Sequence, residues 1–209
     1  MTTAAPDFAG VKPVDPRFAL DEQALSRWLL ANIEGFCGPL TVRQFKGGQS
    51  NPTYQLTTPG HTYVLRRKPP GVLLPSAHAV DREYRVTSAL NSIGFPVARP
   101  WALCTDETVI GSMFFVMDAV EGRIFWDGAL PGLSATERHD IYMAQLRTLA
   151  QLHNADYAAL RLGDYGKRGD YFARQIARWS RQYRASETVM IPEMDRLIDW
   201  LPQIGRAHV

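Results

Sequence analysis

Two stretches and one isolated carboxylate have the residue types and spacing for work on a phosphate. The first stretch is Phe45-Lys46-Gly47-Gly48-Gln49-Ser50-Asn51-Pro52-Thr53-Tyr54, a glycine pair between two alternating apolar runs, Leu40 to Phe45 and Thr53 to Thr57. It reads as a hairpin whose turn lies close to something. Glycines without Cβ atoms let backbone N–H groups at Gly47 and Gly48 approach phosphate oxygens, and Ser50, followed by Asn51, adds a hydroxyl donor. An ordinary hairpin turn also contains such a pair. The second stretch follows the Pro59-Gly60 turn, where Thr62-Tyr63-Val64-Leu65-Arg66-Arg67 is a β-branched and aromatic run ending in adjacent cations. Strand alternation puts Val64 and Arg66 on one face and Tyr63, Leu65 and Arg67 on the other. Either Arg66 works from that shared face, or both arginines are solvated strand-end charges.

A partner for Arg66 lies in the helix expected from about Ala77 to Ile93, closed by Gly94 and followed by Pro96. Val80, Glu83, Val86 or Thr87, and Leu90 recur at helical spacing, which places the Glu83 carboxylate on the stripe that should be buried. A buried carboxylate requires a cation, because an unpaired charge in a low dielectric costs several kcal/mol. Arg66 is the natural candidate. The alternative is that Glu83 lies at the edge of the stripe and is solvated.

A further strand, Ser112-Met113-Phe114-Phe115-Val116-Met117, opens abruptly into Asp118-Ala119-Val120-Glu121-Gly122-Arg123, a polar linker with a glycine. On Gly47 to Tyr54, Tyr63 to Gly71, Arg82-Glu83-Tyr84 and Val116-Met117-Asp118, the chain resembles the aminoglycoside phosphotransferase and choline-kinase-like superfamily. It resembles most the phosphotransferase domain that precedes an acyl-CoA dehydrogenase in some larger proteins. The resemblance implies a protein-kinase-like α+β fold in two lobes. It also implies ATP or GTP as the nucleotide, with Mg2+ expected only in the full-length protein. Arg66 and Glu83 would form the strand-to-helix clamp on the α and β phosphates. Asp118 and Val120 would meet the adenine edge through main-chain groups, with Met117 at the back of the pocket. An arginine stands where kinases generally have lysine, so a point-like ammonium contact is not implied.

The elements that must hold these groups extend in both directions. A helix from Asp21 to about Ile33, with Leu25, Trp28 or Leu29, and Ile33 on one side, is expected to pack on the sheet. From Ser134 the chain turns helical, with Ser134 and Glu137 spaced as a capping box and Tyr142, Leu146, Leu149 and His153 along one face. His153 on such a face reads as a core histidine more readily than as a general base. In the next helix Phe172, Ile176, Trp179 and Tyr183 form an expected core stripe. Arg174, Arg178 and Arg181 form an outer row that either meets a phosphate-bearing substrate or is solvated. A last helix runs from Pro192 to about Leu201.

Members of the resembled family continue into a His-Gly-Asp loop whose aspartate accepts the substrate proton, followed by an asparagine and a metal-binding aspartate. No such segment occurs in this sequence, and Asp164 and Asp170 come too early to serve. The sequence reading therefore names no catalytic and no metal-binding residue and expects a catalytically incomplete fragment. The rival expectation is a non-catalytic, pseudokinase-like module that binds nucleotide or a partner. The tail Ile204-Gly205-Arg206-Ala207-His208-Val209 equals one reading frame of a common sequencing adapter and is expected to be non-native.

Composition sets outer bounds. Hydrophobic content of 45% in 209 residues and a formal net charge of +2 describe a globular chain without a nucleic-acid footprint. Cys37 and Cys104 lack metal or redox spacing, and Met1 to Gly10 lacks the pattern of a signal peptide; a cytoplasmic protein with no membrane partner is expected. The expected architecture is a five-stranded antiparallel lobe over 1–117, a hinge over 118–133 and an incomplete helical lobe over 134–203. The implied partners are a nucleotide and, for the full-length protein, a small-molecule hydroxyl acceptor. A hydroxyacyl-CoA suits the dehydrogenase association; an aminoglycoside suits the chain less, for want of an acidic cluster.

Overall fold

Alternating apolar residues build one antiparallel sheet, and apolar-periodic stretches build the helices, two of which cover the faces of that sheet. The computed structural model describes residues 10–47, 51–69, 71, 78–166 and 169–204. The strands are β1 (Val11–Lys12), β2 (Thr41–Phe45), β3 (Thr53–Thr57), β4 (Thr62–Arg67), β5 (Pro100–Cys104) and β6 (Phe114–Asp118), in the order β1-β2-β3-β4-β6-β5. The expected sheet is thus present with a sixth strand at its edge. β1 has two residues, too few to show an alternation in sequence.

Register decides which side chains share a face. Val64 pairs with Met117 and Arg66 with Phe115, while Leu65 pairs with Val116 and Tyr63 with Asp118. The Tyr63 and Leu65 face is covered by α1 (Glu22–Asn32), whose Leu25 and Leu29 are fully buried with Tyr54, Leu56, Leu65 and Val116. Burying each of those leucines stabilises the fold by roughly 2 kcal/mol. The helix starts where the Asp21 carboxylate accepts the Ala24 N–H at 2.9 Å. Trp28 meets Phe114 edge to face at 4.8 Å.

The Val64 and Arg66 face receives α2 (Val80–Asn91), which packs on β5 and β6 and sets Tyr84 against Phe115 at 6.0 Å. Val80 and Leu90 are buried, as their spacing requires. Gly94, at φ 70°, closes the helix, with the Phe95 N–H returning to the Leu90 carbonyl at 3.2 Å. The helix α3 (Ala135–His153) begins on the expected capping box: Ser134 N–H donates to Glu137 Oε2 at 2.8 Å, and Glu137 N–H donates to Ser134 Oγ at 3.2 Å. Its Tyr142, Leu146 and Leu149 face is exposed, and so is His153, which belongs to no core.

The chain divides into two compact units, Met1–Leu162 and Gly163–Val209. In the second, α4 (Tyr171–Ser186) and α5 (Pro192–Ile204) bring Ile176, Trp179 and Tyr183 together with Met194, Leu197, Ile198 and Leu201 around a cleft of about 280 Å³. Arg184 reaches Asp195 at 2.5 Å. Phe172, expected in the same stripe, is 73% exposed, because α5 covers only the later turns. Of the tail expected to be non-native, only Ile204 is among the described residues.

Candidate functional site

The sheet brings Arg66 to the face that α2 covers, and the pitch of α2 brings Glu83 to meet it. Arg66 Nε lies 2.8 Å from Glu83 Oε2. Both side chains keep more than a third of their surface in solvent, 35% for Arg66 and 38% for Glu83. The Glu83 carboxylate is therefore paired as expected but not buried as expected. The stripe sinks into the protein at Val80 and Leu90 and rises toward solvent between them. The contact is an ion pair and not a directed hydrogen bond, since Arg66 Nε has no hydrogen-bond partner among the described residues; a guanidinium 35% exposed beside its counter-charge can hold an anion on its open side.

Val64 and Met117 lie opposite each other in the β4–β6 register, half-buried on this same face. They make a small apolar floor beside the cation. At the sheet end of that floor, the Asp118 N–H donates to the Arg99 carbonyl at 2.9 Å and the Ala119 N–H to the Thr62 carbonyl at 3.1 Å. The main-chain donor nearest the exit of β6 that these two bonds leave is that of Val120, which is 74% exposed. Asp118 and Val120, the two residues expected at an adenine edge, thus stand at the exit of β6, with the Asp118 N–H engaged by Arg99.

The glycine turn is described in part. Gly47 follows Lys46, whose N–H donates to the Gly10 carbonyl at 3.1 Å. Gly48 and Ser50 lie outside the described residues. Asn51 ends the turn with its side chain inward: it is 4% exposed, and its carboxamide donates from Nδ2 to Glu83 Oε1 at 3.2 Å. Asn51, expected among the nucleotide contacts, supports Glu83 in this structure.

Two features escaped the sequence reading. Arg67 is 2% exposed, not a solvated strand end, because the alternation that frees Arg66 drives its neighbour into the α1 side of the sheet. Its Nε donates to the Lys68 carbonyl at 3.4 Å, and Nη1 has no hydrogen-bond partner among the described residues. On that same side, Asp118 Oδ1 accepts the Trp101 indole N–H at 2.5 Å and lies 2.9 Å from His61 Nε2. Arg99 stacks over Trp101 at 3.9 Å, and the His61 and Tyr63 rings are 4.3 Å apart. Burial pushes the Tyr63 phenol above its ordinary pKa, with the Asp118 charge adding to the shift. The one signal in sequence was the density of aromatic and charged residues between His61 and Trp101; the pairing with Asp118 spans 57 residues.

A sheet covered by α1 on one face, and joined on the other to α2 through a strand cation and a helix carboxylate, defines a kinase-like phosphotransferase fold. The chain belongs to the phosphotransferase enzyme family, whose profile matches residues 41–208. It is 53% identical to a crystal structure of a "putative aminoglycoside phosphotransferase" from Ralstonia eutropha JMP134, with a TM-score of 0.77 over 88% of this chain and 54% of that one. Among curated proteins it is 47% identical over 190 residues to acyl-CoA dehydrogenase family member 11 of Mus musculus, covering 89% of this chain and 24% of that protein. It is 44% identical over 192 residues to acyl-CoA dehydrogenase family member 10 of Mus musculus, covering 91% of this chain and 18% of that protein. The chain thus spans about a quarter or less of the curated relatives it matches. No described helix is long and apolar enough to cross a membrane.

Proposed function

We propose that this chain is the nucleotide-holding part of an ATP-dependent phosphotransferase that acts on a small-molecule hydroxyl. The observation that carries the reading is the Arg66–Glu83 pair on the sheet face that also presents Val64 and Met117. The apolar pair suits a purine ring, the guanidinium suits the α and β phosphates, and Gly47 follows the end of β2, where phosphate-facing N–H groups belong. Glu83 holds Arg66 in place through the exchange of ligands. A nucleotide brings its own divalent cation to such a site, most commonly Mg2+, which neutralises phosphate charge.

The transfer step needs a base for the acceptor hydroxyl and oxygen ligands for the cation. Among these 209 residues there is no His-Gly-Asp segment to supply the base. We therefore read the chain by itself as binding nucleotide without transferring phosphate. The association of its relatives with acyl-CoA dehydrogenases favours a hydroxyl on an acyl-CoA over an aminoglycoside as the acceptor of the whole enzyme. Two unpaired thiols, Cys37 exposed and Cys104 buried, support a reducing, cytoplasmic setting.

The test is equilibrium binding of a fluorescent ATP analogue to the 209-residue chain, with ATP as competitor, alongside an assay of ATP turnover with Mg2+. Saturable, competable binding without turnover is the expected result. Absence of binding would remove the nucleotide reading, and turnover would remove the claim that the chain is incomplete.

A further inference from the structure

Asn51 makes two contacts that no nucleotide reading requires. Its Nδ2 donates to Glu83 Oε1 at 3.2 Å, and its Oδ1 lies 2.8 Å from Nδ1 of His78. An amide nitrogen only donates and an amide oxygen only accepts, so the orientation that serves a carboxylate leaves the oxygen facing His78. His78 Nδ1 therefore carries a proton in this contact. His78 itself has φ 58°, a left-handed conformation that a residue with a Cβ adopts at a cost. It stands just before the first turn of α2, where the N-cap residue Ala79 supplies no side-chain bond and Val80 N–H donates to the His78 carbonyl at 2.9 Å. The start of α2 is thus fastened from outside the helix, by the residue that ends the glycine turn. Through Glu83, the same residue reaches Arg66 on β4.

We propose that Asn51 and His78 are positioning residues that tie the first turn of α2 to the chain leading into β3, so that Glu83 is held where it meets Arg66. The inference deepens the nucleotide reading and rests on it for the effect of this fastening on nucleotide affinity. The fastening itself does not depend on a bound nucleotide. Asn51 is buried and has both ends of its carboxamide engaged, so it fixes the Glu83 carboxylate and the start of α2 relative to each other. Neither contact changes sign with the charge of His78, because Nδ1–H is present in the imidazolium as well.

The first arm of the test uses the 209-residue chain without nucleotide and reads amide hydrogen exchange at Arg82 and Glu83, whose N–H groups donate to the Ala79 carbonyl at 3.1 and 3.2 Å. Asn51→Ala and His78→Gly should speed exchange there roughly tenfold, the effect of losing one such hydrogen bond. His78→Gly tolerates the left-handed backbone but has no donor. His78→Asn should keep exchange near the starting rate, because asparagine also tolerates that backbone and places an N–H where imidazole Nδ1–H stood. Equal rates in the glycine and asparagine variants would overturn the proposal, and the His78 pair decides it even if Asn51→Ala fails to fold. The second arm measures ATP-analogue affinity in Asn51→Ala, Glu83→Ala and the double variant. The double variant should lose no more than Glu83→Ala alone; fully additive losses would overturn the coupling. If the unsubstituted chain binds no analogue, the nucleotide reading fails, and the exchange rates alone decide the positioning role.

Discussion

Arg66 and Glu83 meet at 2.8 Å across the junction of β4 and α2, on a sheet face where Arg66 has Phe115 on its β6 side and Thr53 on its β3 side. Because both remain more than a third exposed, their attraction is screened, and such pairs contribute roughly 0–1 kcal/mol to stability. Arg66→Ala should therefore shift the urea unfolding free energy by less than about 1 kcal/mol, whereas Glu83→Ala, which also strands the buried Asn51 amide donor, should cost about 1–3 kcal/mol. A loss of several kcal/mol in Arg66→Ala would mean that the pair is a structural element of the core and would weaken the case for a ligand role.

Arg67 is the opposite case. Its guanidinium is buried, with one weak bond to the Lys68 carbonyl and Nη1 unpaired among the described residues. A buried charge with so little compensation is replaced by an apolar side chain of similar length at little or no loss. Arg67→Met should leave the unfolding free energy within about 1 kcal/mol or raise it. A drop well beyond that would show that the guanidinium is fully compensated.

The Asp118 carboxylate joins three segments, β6, β5 through Trp101 and the turn before β4 through His61. Trp101→Phe keeps much of the ring but removes the indole donor, and it should cost about 1–2 kcal/mol in denaturant unfolding. The same substitution in an Asp118→Asn background should cost less, because the acceptor is already weakened. Equal costs in both backgrounds would show that the Trp101 contribution is packing alone.

Tyr142, Leu146 and Leu149 project from α3 into solvent, Leu146 with 58% of its surface exposed, and Trp179 and Trp200 do so from α4 and α5. Exposed apolar rows of this size bind hydrophobic dyes and promote association. The 209-residue chain should bind such a dye while still melting cooperatively, and Leu146→Glu with Leu149→Glu should lower dye binding by about half or more. A monodisperse monomer that ignores the dye would show that these rows are covered in solution.

The sequence made the frame legible where periodicity is strong. The spans of β3 and β4 match their alternating runs, α1 starts at its Asp21 cap, and α2 closes at Gly94, but α2 starts at Val80 and not at about Ala77, with no side-chain cap to mark the position. The Arg66–Glu83 pair was legible because Arg66 shares its strand face with Val64 and Glu83 is the charged exception on the apolar stripe of α2. Depth was not legible: alternation says which face Arg67 takes and not that the face is sealed, and helical spacing does not show where the surface of α2 rises at Glu83. Long-range polar pairing was also hidden. Asn51 reaches Glu83 and His78 over 32 and 27 residues, and no local pattern marks an amide whose two ends serve different segments. The two-residue β1 was missed because pairing with β2, and not propensity, makes it a strand.

The most direct test of the clamp is a double-mutant cycle on nucleotide affinity, with the 209-residue chain, Arg66→Ala, Glu83→Ala and the double variant titrated with one ATP analogue. Each single substitution should weaken binding by roughly tenfold, and the double variant should be little worse than either alone, a coupling of about 1 kcal/mol or more. Simple additivity, or an affinity indifferent to both residues, would contradict the assignment of this pair to the phosphates.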